Sequence, residues 1–385
     1  MMNFSYTETQ KKLYDSIVVF AQNELNNEVI DRDKNQTFAQ HEWTKCGIEK
    51  IHGLTVPNEF GGLGLDAIST ACGLEALAFG CSDGGMVFSL AAQLLSCTIP
   101  ISLYGTESQK QYYLPLICSG KIIVANAMTE KESGSDVFSL ATKAIKSNES
   151  YIINGEKVFI SNAPNANYIL VYALTNPDKG FYGGISAYLL DVNNKNIKRS
   201  GPIAKMGLRS CLMGNLNFCD VEVSSSDLLG KEGAGSIIFH ESMNWERAIL
   251  GAIHIGTMKR ILNQCIEFVN CRKIGNESIS KYQNLVHRIS EIQVLIETSS
   301  LVVYKAAYQI DHKTADITIS AATAKYYTSE SLNKVCDLAL DIFGGSGYIA
   351  ELSIERYKRD AVASKIYSGT NDIQKNIIAK LLGVN

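Results

Sequence analysis

The period of the apolar residues changes twice along this 385-residue chain, and that change limits the folds open to it. From Thr7 to about Gly120 the apolar positions recur as they do on helices. Leu13, Ile17, Phe20, Ala21 and Leu25 share one side of a first helix, with Thr7 and Gln10 spaced as a capping box. Further helices are expected over His41–Cys46, Ala67–Phe79, Met86–Leu95 and Glu107–Leu116. The pattern then turns to strands over Lys121–Met128, Ala141–Ile145, Tyr151–Ile160, Tyr168–Leu174, Ser186–Asp191 and Leu216–Val223, with Asn154-Gly155 reading as a hairpin turn inside the third. Beyond Gly230-Lys231-Glu232-Gly233 come long helices over Ser236–Asn270, Lys281–His312 and Thr314–Ile342, which need neighbours along their whole length and so predict a bundle and an oligomer. The expectation is an α+β chain with an N-terminal α-helical domain (1–120), a β-domain (121–228) and a C-terminal α-helical bundle domain (229–385).

Composition removes several function classes. A net charge of −3, from 36 basic and 39 acidic residues, leaves no basic excess for a nucleic-acid backbone. Lys11, Lys12, Asp15 and Glu24 interrupt any apolar core of a signal peptide, and no run is expected to approach the roughly 18 apolar residues that span a bilayer. Ten cysteines without a C-x-x-C pair and six isolated histidines predict reduced thiols, a cytoplasmic setting and no metal site. Gly62 to Ala67 and Gly345 to Ala350 match the glycine spacing of dinucleotide folds, but neither directly follows a strand, so both read as backbone turns.

Four stretches have the residue types for chemistry. Ala127-Met128-Thr129-Glu130, followed by Ser133-Gly134-Ser135-Asp136, ends a strand in a small-residue loop whose amides can approach an anion, although a plain turn is the commoner fate of such a loop. Phe159-Ile160-Ser161-Asn162 alone is an ordinary strand with an aromatic residue. Ile366-Tyr367-Ser368-Gly369-Thr370 opens onto a last helix, where Thr370 or Asn371 can cap and Gln374 can complete a capping box. Glu246, in Met243-Asn244-Trp245-Glu246-Arg247-Ala248-Ile249, sits among apolar and small residues, where the ordinary fate of a helix carboxylate is to pair with a neighbour in solvent.

Taken in order, these stretches resemble the acyl-CoA dehydrogenase family of flavoproteins over essentially the whole chain. The resemblance also rests on Phe343-Gly344-Gly345, Gly347-Tyr348, Arg359-Asp360, Tyr367, Gly369-Thr370, Val56-Pro57-Asn58-Glu59-Phe60-Gly61-Gly62 and Met206-Gly207-Leu208-Arg209-Ser210. It implies a β-barrel-like middle domain, a C-terminal four-helix bundle and FAD as cofactor, with Met128, Thr129, Ser135, Phe159, Ser161, Gly345 and Thr370 as its contacts. Lys131 stands for the family's usual proline, Ser133 for alanine, Phe159 for tryptophan and Ser161 for threonine. At Ser368 many members carry the catalytic glutamate. In a branch that lacks it the base lies at the position of Glu246, so the resemblance implies Glu246 as the catalytic base with Arg247 beside it. The family's FAD-reaching arginine motif appears as Cys271-Arg272-Lys273-Ile274-Gly275, one place out of step, which leaves the adenosine side open.

Ser161-Asn162-Ala163-Pro164, Leu208-Arg209-Ser210-Cys211 and Asn244-Trp245-Glu246-Arg247-Ala248 are similar to the branch that oxidises prolyl groups on carrier proteins in natural-product assembly. Implied partners are an acyl or peptidyl carrier protein bearing phosphopantetheine, and copies of the chain in a homotetramer. A short- or branched-chain acyl-CoA dehydrogenase using Glu246, and a non-catalytic flavin-binding scaffold, remain the alternatives.

Overall fold

The computed structural model describes residues 5–137 and 139–384. Thr7 caps the first helix, Glu8–Glu24, through the expected box: Thr7 Oγ1 accepts from Gln10 N at 3.2 Å and Gln10 Oε1 from Thr7 N at 3.0 Å. Helices follow at Val29–Asn35, Gln40–Ile48, Ala67–Gly80, Gly84–Gln93, Ile99–Tyr104 and Glu107–Cys118. Asp66 caps the Ala67–Gly80 helix by accepting from Ser69 N at 2.7 Å.

One expectation is corrected here. Gly84–Gln93, a π-helical stretch Leu94–Thr98 and Ile99–Tyr104 run on as 21 residues containing an 18-residue window of mean hydropathy 1.7, long and apolar enough by composition to cross a membrane. In the fold, 83% of that apolar window is buried inside the protein, as expected of a helix apolar on all sides that serves as core. The sequence reading ended this helix near Leu95 and so missed its length.

Eight strands form one sheet: β1 (Val124–Ala127), β2 (Lys143–Ser147), β3 (Ser150–Ser161), β4 (Tyr168–Leu174), β5 (Ile185–Asp191), β6 (Ile197–Arg199), β7 (Met213–Ser224) and β8 (Leu228–Leu229). Their order is β6-β7-β3-β2-β4-β5-β8, with β1 parallel to β4. The Asn154-Gly155 hairpin is a second correction. The chain turns earlier, between Ser147 and Ser150, with Asn148 in the left-handed region, and Gly155 instead lies beside a register shift inside β3. A Cβ at Gly155 would come within 2.4 Å of Thr142 Oγ1, so the glycine is spent on a close strand crossing rather than on a turn.

Alternation along β4 assigns the sheet's two faces. Ile169, Val171 and Ala173 join Ile153, Leu216 and Phe218 within the sheet's own core, while Leu170 and Tyr172 face Cys97, Ile101, Leu114 and Ile117 of the N-terminal helices. After β8 come the helices Gly235–Ile249, Gly251–Cys271, Gln283–Asp311, Ile317–Phe343, Ile354–Ser364 and Asn371–Leu381. The single helix expected over Ser236–Asn270 is two. At the junction a Cβ on Gly251 would lie 2.7 Å from Val303 and 2.9 Å from Thr328, so neighbouring helices pack directly on its backbone. Residues of the first and last helical regions share one apolar core, including Leu74, Met86, Leu90, Ile249, Ile255, Ile296 and Val335.

Candidate active site

Glu246 is 7% exposed, within the last turn of the Gly235–Ile249 helix. Its Oε1 accepts the hydroxyl of Ser368, from the turn ahead of the last helix. That turn is tightly held. Ser368 and Gly369 both have positive φ, +58° and +84°. Arg247 Nε donates to Ser368 O at 3.0 Å, and Gln374 Nε2 to Gly369 O at 2.9 Å and Ser368 O at 3.2 Å. Thr370 Oγ1 caps the last helix by accepting from Ile373 N at 3.3 Å, while Gln374 ties down carbonyls instead of completing the box expected of it. Burial raises the Glu246 carboxyl above the usual carboxylate range, opposed by the Ser368 hydroxyl and by the charges of Arg247 and Lys325.

Behind the turn, Tyr367 Oη lies 2.7 Å from His254 Nε2, and His254 Nδ1 lies 3.1 Å from Thr328 Oγ1. The Thr328 hydroxyl gives its proton to Ala324 O at 2.8 Å, so it accepts from Nδ1–H of the imidazole, and Nε2 is left to accept from Tyr367. Burial, and secondarily the charge of Lys325, lowers His254 to about 3, so the ring is neutral.

The second group of residues comes together at two strand ends. Val158 N donates to Thr129 O at 2.9 Å, and buried Lys157 bridges Met128 O at 3.0 Å and Glu130 Oε1 at 2.7 Å. Met128 and Thr129 are thereby clamped beside Phe159 and Ser161. Phe159 is an unusual aromatic residue: it is 62% exposed and its backbone is left-handed at φ +58°, with its N–H held by Asn215 Oδ1 at 3.1 Å. Such strain in an aromatic residue persists where the surroundings impose it, commonly at a ligand site. Gly134 has open space where a Cβ would be, and Ser135 next to it is exposed. An exposed aromatic face beside strand-end backbone and an open small-residue loop fits a flat ring system with an anionic tail.

The long apolar helix joins the two groups. Asn162, next to Ser161, exchanges hydrogen bonds with Ser89, and the adjacent Phe88 stacks on Tyr367 with ring centroids 4.5 Å apart. The helix thereby ties the strand end that carries Ser161 to the turn that carries Ser368. Gly345 does not join them. It sits on an exposed turn past the end of the Ile317–Phe343 helix, 20 residues beyond Lys325, or about 30 Å along a helix. Sequence reasoning missed His254, Lys325 and the roles of Asn371 and Gln374. The only signal was a lysine inside the small-residue run Ala321-Ala322-Thr323-Ala324-Lys325.

Family profiles described as acyl-CoA dehydrogenase N-terminal, middle and C-terminal domain match residues 7–121, 125–221 and 233–383. The chain belongs to the acyl-CoA dehydrogenase family, the FAD-dependent dehydrogenases of acyl thioesters. It is 35% identical to an L-prolyl-peptidyl-carrier-protein dehydrogenase of a Serratia species over 100% of this chain and 99% of the other. It is 36% identical to the protein of the same description from Pseudomonas fluorescens, over 99% and 100%. The fold is similar to the crystal structure of the prolyl acyl carrier protein oxidase AnaB (TM-score 0.96, 36% identity, 99% and 100% of the two chains). It is equally similar to PigA with FAD and proline (TM-score 0.96, 35% identity, 100% of both).

Proposed function

We propose that the chain dehydrogenates an L-prolyl thioester carried on the phosphopantetheine arm of a carrier protein, using FAD and giving a dehydroprolyl thioester. The observation that carries this reading is the buried Glu246 carboxylate bound by Ser368, a base on the helix facing the turn where many members keep theirs. Full-length relatives that act on prolyl carrier proteins support the substrate. Glu246 takes the α-proton of the thioester, and burial brings its proton affinity closer to what a weakly acidic C–H needs. Bound FAD supplies the acceptor for the β-hydrogen, which leaves as hydride. Met128, Thr129 and Ser161 would hold its ring, Phe159 would cover it and Ser135 would meet its phosphates. Thr370, which caps the last helix, would meet the cofactor at that helix's start. Gly345 would serve the cofactor of a neighbouring copy in a homotetramer, and the exposed Tyr348, Ile349 and Leu352 beside it support contact between copies there. All ten cysteines are free, in keeping with a reducing cytoplasm.

The test is mass spectrometry of a prolyl-loaded carrier protein after incubation with FAD-reconstituted protein. Loss of two or four hydrogens is expected. Equal turnover of prolyl-CoA would replace carrier delivery by the acyl-CoA reading, and no turnover of either would overturn both.

A further inference from the structure

Lys325 is 2% exposed, in the third turn of the Ile317–Phe343 helix, and nothing in the reaction as described uses it. Its Nζ makes one hydrogen bond among the described residues, to Asn371 Oδ1 at 2.8 Å, and no ion pair. A buried ammonium held by a single neutral amide oxygen is costly to desolvate, and such groups are kept where their charge serves a site. Two features connect it to the base. Asn371 is the first residue of the last helix, directly after the Ser368-Gly369-Thr370 turn. There it also accepts from Ser329 Oγ at 3.0 Å and donates to Glu330 Oε1 at 2.7 Å. Lys325 thus holds the start of the helix whose preceding turn delivers Ser368 to Glu246.

Its charge also reaches the base. The ionisable groups whose charge couples to it are Glu246 and Arg247 from the Gly235–Ile249 helix, His254 from the next helix, and Glu330 on its own helix, which is paired outward with Lys365 at 3.3 Å. With Glu330 turned to Lys365 and Asn371, the buried carboxylate left to balance Lys325 and Arg247 is Glu246. Burial, with Arg247 adding to it and Glu246 and Glu330 opposing, lowers Lys325 to about 7. It is therefore charged in the acidic range where a carboxyl titrates.

We infer that Lys325 is a positioning residue for Glu246: through Asn371 it fixes the turn that presents Ser368, and its ammonium is the remote positive charge that keeps Glu246 in the carboxylate form a base requires. This rests on Glu246 being the base. The test separates the two ideas by reading Glu246 directly. In cofactor-free protein the carboxyl band missing from Glu246→Gln is followed by infrared spectroscopy as pH is varied. Lys325→Met, and Lys325→Gln, which can still hydrogen-bond Asn371, should raise the titration midpoint by about one pH unit. Lys325→Arg should leave it in place. In FAD-loaded protein the acid limb of kcat/KM should move with it. Asn371→Ala keeps the charge but frees the turn, so it should lower kcat and raise the midpoint no further than Ser368→Gly does; in the Ser368→Gly background it should leave the midpoint in place, where Lys325→Gln still raises it.

An unmoved midpoint in folded Lys325→Gln, or Lys325→Arg shifted as far as Lys325→Met, would overturn the inference. So would failure of both neutral variants to fold while Lys325→Arg folds, since the charge would then be a requirement of folding. Turnover retained in Glu246→Gln would sink the base assignment alone, because the midpoint still reports on Lys325.

Discussion

Ser368 donates its hydroxyl to Glu246 Oε1, joining the turn before the last helix to a helix 122 positions earlier. Helix position puts the carboxylate in an apolar wall, and the turn, forced to positive φ at Ser368 and Gly369, aims the hydroxyl at it. The hydroxyl opposes the upward push of burial on the carboxyl.

Ser368→Gly tests that bond with little backbone cost, because glycine accepts positive φ where alanine does not. Losing a hydrogen bond to a charged group costs about 1.5–3 kcal/mol, so Glu246 should hold its proton to a pH about one to two units higher. The protonated form cannot accept the α-proton. The acid limb of kcat/KM should therefore move up by that amount, and an unmoved limb would contradict the assignment.

Glu246→Gln keeps size and hydrogen bonding while removing the proton acceptor. FAD should remain bound, and substrate-dependent bleaching of the flavin should slow by about a hundred- to ten-thousand-fold. A folded, yellow variant with near-normal activity would send the search to Asp372, the nearest carboxylate after Thr370 in the sequence.

Phe159→Gly removes an exposed ring from strained backbone. Cofactor-free protein should melt no lower than the parent, since the φ of +58° suits glycine and little packing is lost. Affinity for FAD should fall about threefold to tenfold, the worth of an aromatic stacking contact of about 1 kcal/mol. Unchanged affinity, measured by fluorescence titration, would remove Phe159 from the cofactor site.

The layering of helix, sheet and helix was legible because burial on one face imposes a period that survives in the sequence. Asn154-Gly155 was misread because the same dipeptide serves a tight turn and a close strand crossing, and only the position of Thr142 separates the two. Glu246 was legible as half of an exchange with position 368. The hydrogen bond between them was not, since it depends on how two helical segments dock. Lys325 was silent for a related reason: in sequence it is an ordinary helix lysine, and only packing against Asn371 makes it a buried charge. The apparent end of the apolar helix near Leu95 hid the π-helical stretch that carries it on to Tyr104.

His254 gives a pH dependence of stability with a definite sign. Its ring is neutral in the fold, with the value lowered to about 3, while in the unfolded chain it titrates near 6.5. Between those values the unfolded state binds the extra proton, so the stability this residue contributes is present above about 6.5 and is lost as pH falls towards 3. From pH 7 to pH 5 one such group costs about 2 kcal/mol. His254→Gln can keep an acceptor for the Tyr367 hydroxyl but has nothing to titrate. The variant should be less stable at pH 7 yet lose about 2 kcal/mol less than the parent on going to pH 5, read from urea unfolding of cofactor-free protein. Parallel losses in the two proteins would mean that the ring is already protonated in the fold, with Nε2 donating to the Tyr367 hydroxyl while Nδ1 still donates to Thr328.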